Sequence, residues 1–289
     1  SLGHTDVAVA GGMESMTNAP YLMTQGRGGY RFGDATIHDH MTLDGLEDAY
    51  TKEAMGLFAE ATCTKYDFTR EEQDNFAITS LQRAKKAISD GKFDSEITPF
   101  TVKNRRGDTT YEVDEQPGKG NVEKIPKLRP AFKKDGSVTA ANSSSISDGA
   151  AAVVLTRLSE AKNLGLKPLA KISKYVSNSH EPEWFTTAPV GAIKKLLKAL
   201  DWSKDDVDLY EINEAFAVVP MAAMKDLDLS HEKVNVHGGA CALGHPIGAS
   251  GARIVVTLLA SMQLYDKKKG VAAVCIGGGE ALAIALELL

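Results

Sequence analysis

The sequence predicts a layered α/β fold. Apolar, strand-like runs alternate with segments of helical periodicity along most of the chain. With 289 residues and a hydrophobic share of 43%, the chain can bury a sizeable core in one large or two ordinary domains. Its net charge of −5 comes from interspersed acidic and basic residues, so we expect neither a nucleic-acid surface nor a membrane partner.

The first element is a strand from Thr5 to Ala10, which ends at Gly11 and Gly12. After it, the segment from Gln25 to Asp48 is rich in Gly, His, Asp and Thr, a composition typical of a surface loop or an interaction arm. We therefore predict that a loop-rich subdomain begins soon after the first strand.

Two helices are predicted next, at 53–66 and at 70–89. Thr69 precedes the second helix and Glu72 follows three residues later, which is the pattern of a capping box. Alternating segments at 96–103 and 108–114 predict a pair of strands. The run from 115 to 130 is rich in Pro, Gly and Lys and predicts irregular structure.

The run DGAAAVVLT predicts a return to a strand, after which a second α/β unit extends to the end of the chain. Its predicted elements are, in order, a strand at 169–176, a helix at 190–200, a strand at 207–212, helices at 215–225 and 250–265, and strands at 271–275 and 281–287. The runs VAVAGGMES and AAVCIGGGEA share a strand–Gly–Gly–Glu shape, which indicates a duplicated fold.

Three residues lie where chemistry is expected. Cys275 ends an apolar strand before Gly277 and its neighbouring glycines, whose backbone N–H groups can receive an oxyanion; the alternative is a buried cysteine before a hairpin turn. His245 stands at a turn before a helix N-terminus, or is simply a packed loop residue. Asn213 follows a buried strand and is either a site residue or a helix N-cap.

Together these residues form three ordered motifs, NEAF, then GHPIGASGAR, then CIGGG, and this combination closely resembles the thiolases. Thiolases are coenzyme A-dependent acetyltransferases that condense acyl thioesters or cleave 3-ketoacyl thioesters. The resemblance extends to VAVAGGMESMTNAPYLM, to the substrate-loop runs DGLEDAY and AMGLFAEA, and to LRPAFKKDGSVTAANSSSISDGAAAVVL, so it covers essentially the whole chain. It implies a duplicated, layered α/β thiolase fold whose first half is incomplete here.

The resemblance also implies residue roles. His245 is expected to activate a nucleophilic cysteine and to hold a thioester oxygen, with a pKa near neutrality. Cys275 is expected to be the acid/base thiol of the carbon–carbon step, poised between its protonation states. Asn213 is expected to orient a water in one oxyanion hole, and the Gly277 backbone N–H to contribute to another.

Coenzyme A thioesters are the substrates that the resemblance implies, with no tightly bound cofactor and no metal. The residues expected along the coenzyme path are Met55, Leu128, Phe132, Ala140, Ser144, Phe185, Ala215 and Phe216. A family histidine of the substrate loop is replaced by Ala54, which leaves open a broader acyl-chain range than the acetoacetyl type that DGLEDAY favours.

The resemblance divides the chain into four segments. These are the end of an N-terminal domain at 1–15, a loop subdomain for substrate binding and oligomerisation at 16–146, a return to the N-terminal domain at 147–166, and a C-terminal domain at 167–289. Thiolases carry their nucleophilic cysteine upstream of the VAVAGGMES strand, so we expect it outside these residues and expect the chain alone to be inactive.

Three cysteines at wide spacing make neither a disulfide framework nor a zinc motif, which favours a reducing, cytoplasmic location. The segment Gln25 to Asp48 resembles the loop that joins thiolase dimers into tetramers, so we expect a homo-oligomer. The competing hypotheses are a thiolase-fold protein that binds coenzyme A without transferase activity and a related decarboxylating ketoacyl synthase. The motif set favours the thiolase over the synthase.

Overall fold

Two separate sheets lie on either side of the helix Ile247–Leu264. The structure is a computed structural model that describes residues 5–105 and 107–289. The strands are β1 (Val7–Ser15), β2 (Tyr21–Leu22), β3 (His38–Asp39), β4 (Phe100–Val102), β5 (Thr109–Tyr111), β6 (Asp148–Thr156), β7 (Ala170–Ser179), β8 (Leu209–Ile212), β9 (Lys269–Ile276) and β10 (Glu280–Leu288). The helices are α1 (Met55–Tyr66), α2 (Arg70–Ser89), α3 (Gln116–Lys119), α4 (Leu158–Asn163), α5 (Ala188–Leu200), α6 (Val218–Leu227), α7 (Ala240–Leu243) and α8 (Ile247–Leu264).

The larger sheet has the strand order β7-β10-β9-β8, in which β8 and β9 are parallel and the other pairs antiparallel. Alternate residues of β9 face opposite layers. Ala273 and Cys275 pack in the cluster that contains Ile193 of α5, whereas Ala272 packs with Leu258 of α8. Because both faces of β9 are covered, this strand consists mainly of small and branched apolar residues.

The smaller sheet pairs β1 with β6 in antiparallel register, from Val7 opposite Thr156 to Ser15 opposite Asp148. One face packs against α8. A Cβ atom on Gly12 would lie 1.9 Å from the Gly248 carbonyl oxygen, so only glycine permits this approach. On the other face Val9, Met13 and Val154 are 74%, 74% and 65% exposed, which leaves an apolar surface uncovered.

The segment between the sheets contains α1, α2 and several short elements. The capping box predicted for α2 is present, with the Glu72 carboxylate accepting from the Thr69 N–H at 2.7 Å and Thr69 Oγ1 accepting from the Glu72 N–H at 3.2 Å. Glu60 of α1 accepts hydrogen bonds from the backbone N–H groups of Ser137 and Val138. These bonds hold the loop that follows Phe132 against α1.

The predicted element types are correct for most of the chain, but some boundaries are wrong. β1 continues through its two glycines to Ser15, because β6 pairs with it along its whole length. The paired strands β4 and β5 are only three residues each. The segment predicted to be irregular contains α3 and a 3₁₀ turn at Ile125–Lys127, and α4 was not predicted.

α8 is long and apolar enough to cross a membrane, with a mean hydropathy of 1.4 over Ile247–Leu264. Its side chains instead fill the space between the two sheets. Ile254, Leu258 and Met262 are at most 2% exposed and pack against residues of β8, β9 and β10. The apolar composition of α8 is therefore that of a core helix between two layers.

Candidate active site

Asn213 and Cys275 lie at the carboxyl ends of the parallel strands β8 and β9. The Asn213 N–H donates to the Ala273 carbonyl oxygen at 2.9 Å, which extends the ladder by one residue beyond β8. Cys275 is two residues beyond Ala273, at the same sheet edge. Both side chains are buried, at 1% and 6% exposure. Ligand sites are common at this edge of parallel strands.

Asn213 does not cap a helix. Helix α6 begins at Val218 and Ala217 occupies its cap position, so the N-cap interpretation of Asn213 is wrong. Glu214 and Ala215 continue a turn in which the Ala215 carbonyl oxygen accepts from Ser144 N–H and Oγ, at 3.0 and 2.9 Å. The turn joins the end of β8 to the loop that carries Ser144.

His245 reaches this edge from a separate turn. Its backbone N–H donates to the Ser145 carbonyl oxygen at 3.2 Å. Gly244, immediately before it, has φ +86°, and a Cβ there would lie 2.0 Å from Ser147 Oγ, so the turn requires glycine. The side chain of His245 ends with Nε2 at 3.2 Å from Asn213 Nδ2. The structure therefore brings together two of the predicted catalytic residues.

A hydrogen-bond chain fixes the tautomer of His245. Ser250 Oγ donates its proton to the Pro246 carbonyl oxygen at 2.9 Å. Because that proton is committed, Ser250 Oγ accepts from His245 Nδ1–H, at 2.5 Å. Nε2 then carries the lone pair and accepts from Asn213 Nδ2–H. The imidazole is thereby oriented with its basic nitrogen at the edge of the sheet.

The pKa of His245 is lower than the residue's proposed role alone predicts. Burial, and secondarily the positive charge of Arg253, lower the pKa of His245 to about 4. The structure therefore gives His245 a pKa well below the near-neutral value that the resemblance implies. At physiological pH the ring is neutral, which keeps Nε2 available as a proton acceptor.

Asn213 retains an unused acceptor. Its Oδ1 atom is buried and has no hydrogen-bond partner among the described residues. Such a group is stabilised when a donor reaches it, because an unsatisfied buried acceptor costs about 1–3 kcal/mol. A water molecule or a substrate hydrogen bonded to Oδ1 would lie beside His245 Nε2.

Cys275 is a buried thiol. Burial raises the pKa of Cys275 to about 12, well above the range expected for a thiol poised between its protonation states. After it, Gly278 and Gly279 have φ +88° and +91° and turn the chain into β10. Gly277 is exposed, and a Cβ there would lie 3.1 Å from Met55 Cε, which places the substrate-loop methionine beside the glycine turn.

Most of the residues expected along the coenzyme path converge next to this edge. The ring of Phe216 meets Phe132 and Phe185 edge to face, with centroids 6.0 and 6.5 Å apart. Phe185, Phe216, Ala215 and Cys275 belong to one apolar cluster. Phe132 and Ser144 lie outside the cluster but contact its members, Phe132 through the ring of Phe216 and Ser144 through the Ala215 carbonyl oxygen.

Leu128 and Ala140 occupy the exposed part of the loop that carries Phe132. No contact described in the structure joins them to the aromatic group. Both residues are exposed to solvent.

The remaining two cysteines are placed elsewhere. Cys63 is a residue of α1 whose side chain lies in the hydrophobic core, with 4% exposure. Burial raises the pKa of Cys63 to about 11. Cys241 of α7 packs against the cluster of Phe76, Ala217 and Met221. Burial also raises the pKa of Cys241 well above its usual range. Neither thiol is activated, and no cluster among the described residues is suited to hold a metal ion.

Two residues that act on His245 were not predicted from the sequence. Ser250, which sets the tautomer, is five residues after His245 in the quoted GHPIGASGAR motif. Arg253, whose charge lowers the pKa of His245, is three residues further along. Ser250 and Arg253 lie about one turn apart on α8. Helical periodicity therefore places them on the same face, which is the pattern in the sequence from which both could have been found.

Models of two family domains match the chain, the thiolase N-terminal domain over residues 1–159 and the thiolase C-terminal domain over residues 166–288. An acetyl-CoA acetyltransferase of Allochromatium vinosum is 47% identical over 287 residues, covering 99% of this chain and 73% of that protein. A probable acetyl-CoA acetyltransferase of Dictyostelium discoideum is 50% identical over 290 residues, covering 100% of this chain and 70% of that protein.

Solved structures agree with the sequence matches. The acetyl-CoA acetyltransferase of Bacillus anthracis superposes with a TM-score of 0.96 at 44% identity. A thiolase of Ascaris suum in complex with coenzyme A superposes with a TM-score of 0.93, also at 44% identity. Each match covers 100% of this chain and 73% of the solved one. The predicted layered α/β fold is confirmed.

Proposed function

This chain belongs to the thiolase family, and from that premise we propose that it carries the histidine, the asparagine and the acid/base cysteine of an acetyl-CoA C-acetyltransferase. The enzyme condenses two acetyl-CoA molecules to acetoacetyl-CoA and coenzyme A, or catalyses the reverse thiolysis. The observation that carries the proposal is the contact of 3.2 Å between Asn213 Nδ2 and His245 Nε2, at the strand edge that ends in Cys275.

His245 acts first as a base. With Nδ1–H held by Ser250, Nε2 takes the proton of a nucleophilic thiol, and the thiolate attacks the acyl carbonyl. The imidazolium that forms is an oxyanion donor together with Asn213. Because burial disfavours the charged ring, it returns the proton readily to the departing coenzyme A thiolate.

Cys275 acts at the carbon–carbon step. In condensation the neutral His245 first takes the proton of the Cys275 thiol. The Cys275 thiolate then removes a proton from the α-carbon of acetyl-CoA, and the enolate attacks the acetyl carbon of the acetyl-enzyme. The bond to the nucleophile sulfur breaks, acetoacetyl-CoA leaves, and the released nucleophile thiolate recovers the proton from His245. In thiolysis the Cys275 thiol returns that proton to the departing carbon, which suits the protonated state that burial favours.

Neither Cys63 nor Cys241 is proposed as the nucleophile. What supports this is the placement of these two cysteines, because Cys63 packs in the core of α1 and Cys241 packs against Phe76. Gly277 is proposed to donate its exposed N–H to the second oxyanion hole.

Coenzyme A binding is assigned to the aromatic group of Phe132, Phe185 and Phe216 with Met55 and Ser144, and to the exposed residues Leu128 and Ala140. We propose that coenzyme A enters only as substrate, with no tightly bound cofactor. The second candidate function is a 3-ketoacyl-CoA thiolase of broader chain length. It is supported by Ala54, a small residue at the start of α1 beside Met55.

A homo-oligomer, as a dimer or tetramer, and a cytoplasmic location are proposed as well. The segment Gln25 to Asp48 supports the oligomer because the apolar ring of Phe32 within it is completely exposed. Three free cysteines, Cys63, Cys241 and Cys275, support a reducing compartment.

Peptide mapping tests the assignment of the cysteines. The 289-residue chain is incubated with acetyl-CoA, digested, and searched by mass spectrometry for acetyl-cysteine. We expect no acetyl-cysteine and no acetoacetyl-CoA. A stable acetyl group on Cys63, Cys241 or Cys275, with acetoacetyl-CoA formed, would show that the nucleophile is misplaced.

A further inference from the structure

We propose that Glu214 is a positioning residue that holds Asn213 and His245 at their catalytic separation, an inference that rests on the proposed function. Glu214 follows Asn213 directly and is completely buried, at 0% exposure. A buried carboxylate is stable only if donors surround it. Its donors come from three separate elements of the fold.

Both carboxylate oxygens of Glu214 are satisfied. Oε2 accepts from Ser80 Oγ of α2 at 2.7 Å and from the Cys241 N–H of α7 at 3.0 Å. Oε1 accepts from Asn235 Nδ2 at 2.8 Å. Ser80 Oγ accepts in turn from the Gly239 N–H at 2.9 Å. All the partners of the carboxylate are donors, so neither oxygen needs a proton.

The bonds of Glu214 reach both sides of the Asn213–His245 contact. On the strand side, the Asn235 side chain accepts from the Ile212 N–H at 2.8 Å and donates to the Ile212 carbonyl oxygen at 2.9 Å, directly before Asn213. On the histidine side, Cys241 lies four residues before His245. The carboxylate therefore joins the two turns that present Nδ2 and Nε2 to each other.

The backbone is shaped around this carboxylate. A Cβ atom on Gly239 would lie 2.4 Å from Glu214 Cδ, and one on Gly238 would lie 2.3 Å from the Ser80 carbonyl oxygen. Gly238 also has φ +77°. The paired glycines that precede α7 thus bring its backbone N–H groups within reach of Glu214.

The test compares Glu214→Gln with Asp208→Asn in the full-length protein. Glutamine keeps the size of the side chain, but its amide N–H₂ group cannot accept the hydrogen bonds that one carboxylate oxygen accepts. Asp208 is a control because it also accepts two backbone N–H bonds, from Lys268 and Lys269 at 2.9 Å, but precedes β8, whose opposite end carries the site.

For Glu214→Gln we expect kcat to fall on the order of tenfold to a hundredfold, because small displacements of catalytic groups have effects of this size. The KM for coenzyme A should stay within about twofold, since the coenzyme contacts are untouched. The NMR signals of the His245 ring should move in Glu214→Gln and stay in place in Asp208→Asn. Ser80→Ala, which removes one donor, should give a smaller change of the same kind and serves if Glu214→Gln does not fold.

Wild-type kcat together with unmoved His245 signals in Glu214→Gln, or in Ser80→Ala where that variant must be used, would overturn the inference. So would equal losses of kcat in Glu214→Gln and Asp208→Asn. A wild-type protein without thiolase activity, in which Glu214→Gln still moves the His245 signals, would contradict the proposed function and leave the positioning role of Glu214 standing.

Discussion

The proposed catalytic edge (Asn213, His245 and Cys275) and the proposed coenzyme rim (Leu128, Phe132 and Ala140) are built differently. At the edge, Asn213 and Cys275 are 1% and 6% exposed, and hydrogen bonds fix Asn213 and His245 before any ligand binds. At the rim, Leu128 and Phe132 are 36% and 37% exposed. The difference indicates that the edge is preorganised for the transition state, whereas the rim offers surface for binding.

Substitutions in the two regions are therefore expected to have different effects on kcat and KM. Changes at the edge should lower kcat, because they remove interactions made in the transition state. Changes at the rim should raise KM, because they remove contacts that substrate and transition state share.

His245→Ala in the full-length protein is expected to have the largest effect on the two half-reactions together. Both half-reactions should slow, each by about a hundredfold or more, because the ring is base and oxyanion donor. Rates of acetyl-enzyme formation and of acetoacetyl-CoA cleavage measure the two halves. Loss of only one half-reaction would contradict the double role of His245.

Phe132→Ala should act on the rim alone. Removal of the ring that meets Phe216 edge to face should raise the KM for coenzyme A about tenfold, which corresponds to about 1.4 kcal/mol of lost contact. The kcat should remain within about twofold. Phe100→Ala, a 68% exposed ring of β4, is the matched control and should change neither constant. A large fall in kcat for Phe132→Ala would remove the distinction between edge and rim.

The low pKa of His245 gives a further test of the difference between the edge and the rim. Its pKa of about 4 lies below the ordinary 6.5, so the unfolded chain binds more protons at this residue between those values. The residue's contribution to stability is complete above about pH 6.5 and is lost as the pH falls to about 4. An NMR titration of the ring should show a midpoint near 4, and a midpoint near 6.5 would show that the edge is not desolvated.

Much of the fold and of the candidate site was predictable from the sequence, because these features depend on local patterns. The helix at Arg70–Ser89 and its capping box follow from periodicity and from Thr69 with Glu72. Asn213, His245 and Cys275 were found from motif resemblance; the burial of Cys275 was predicted only as the alternative to a site role, and the burial of Asn213 was not predicted. The acidity of His245 depends on the packing of α8 between two sheets, and the position of β1 depends on its pairing with β6, 133 or more residues away in the chain. Glu214 lies within the quoted NEAF motif, but its partners are distant in sequence.

The smallest effect on catalysis is expected for deletion of residues 32–42 from the arm. This segment is far from both regions in sequence and carries the fully exposed Phe32. Sedimentation of the variant should show dimers, with kcat within about twofold of the wild type. A monomer or an undisturbed tetramer would count against the proposed role of the arm in assembly.

The most direct test of the catalytic edge is one measurement on full-length protein with Cys275→Ser. The variant is incubated with acetyl-CoA and labelled coenzyme A, and both label exchange and acetoacetyl-CoA are followed in the same sample. We predict that label enters acetyl-CoA, because acyl transfer to the nucleophile does not use Cys275, while no acetoacetyl-CoA forms. Acetoacetyl-CoA produced at nearly the wild-type rate would contradict the assignment of Cys275 as the acid/base of the carbon–carbon step.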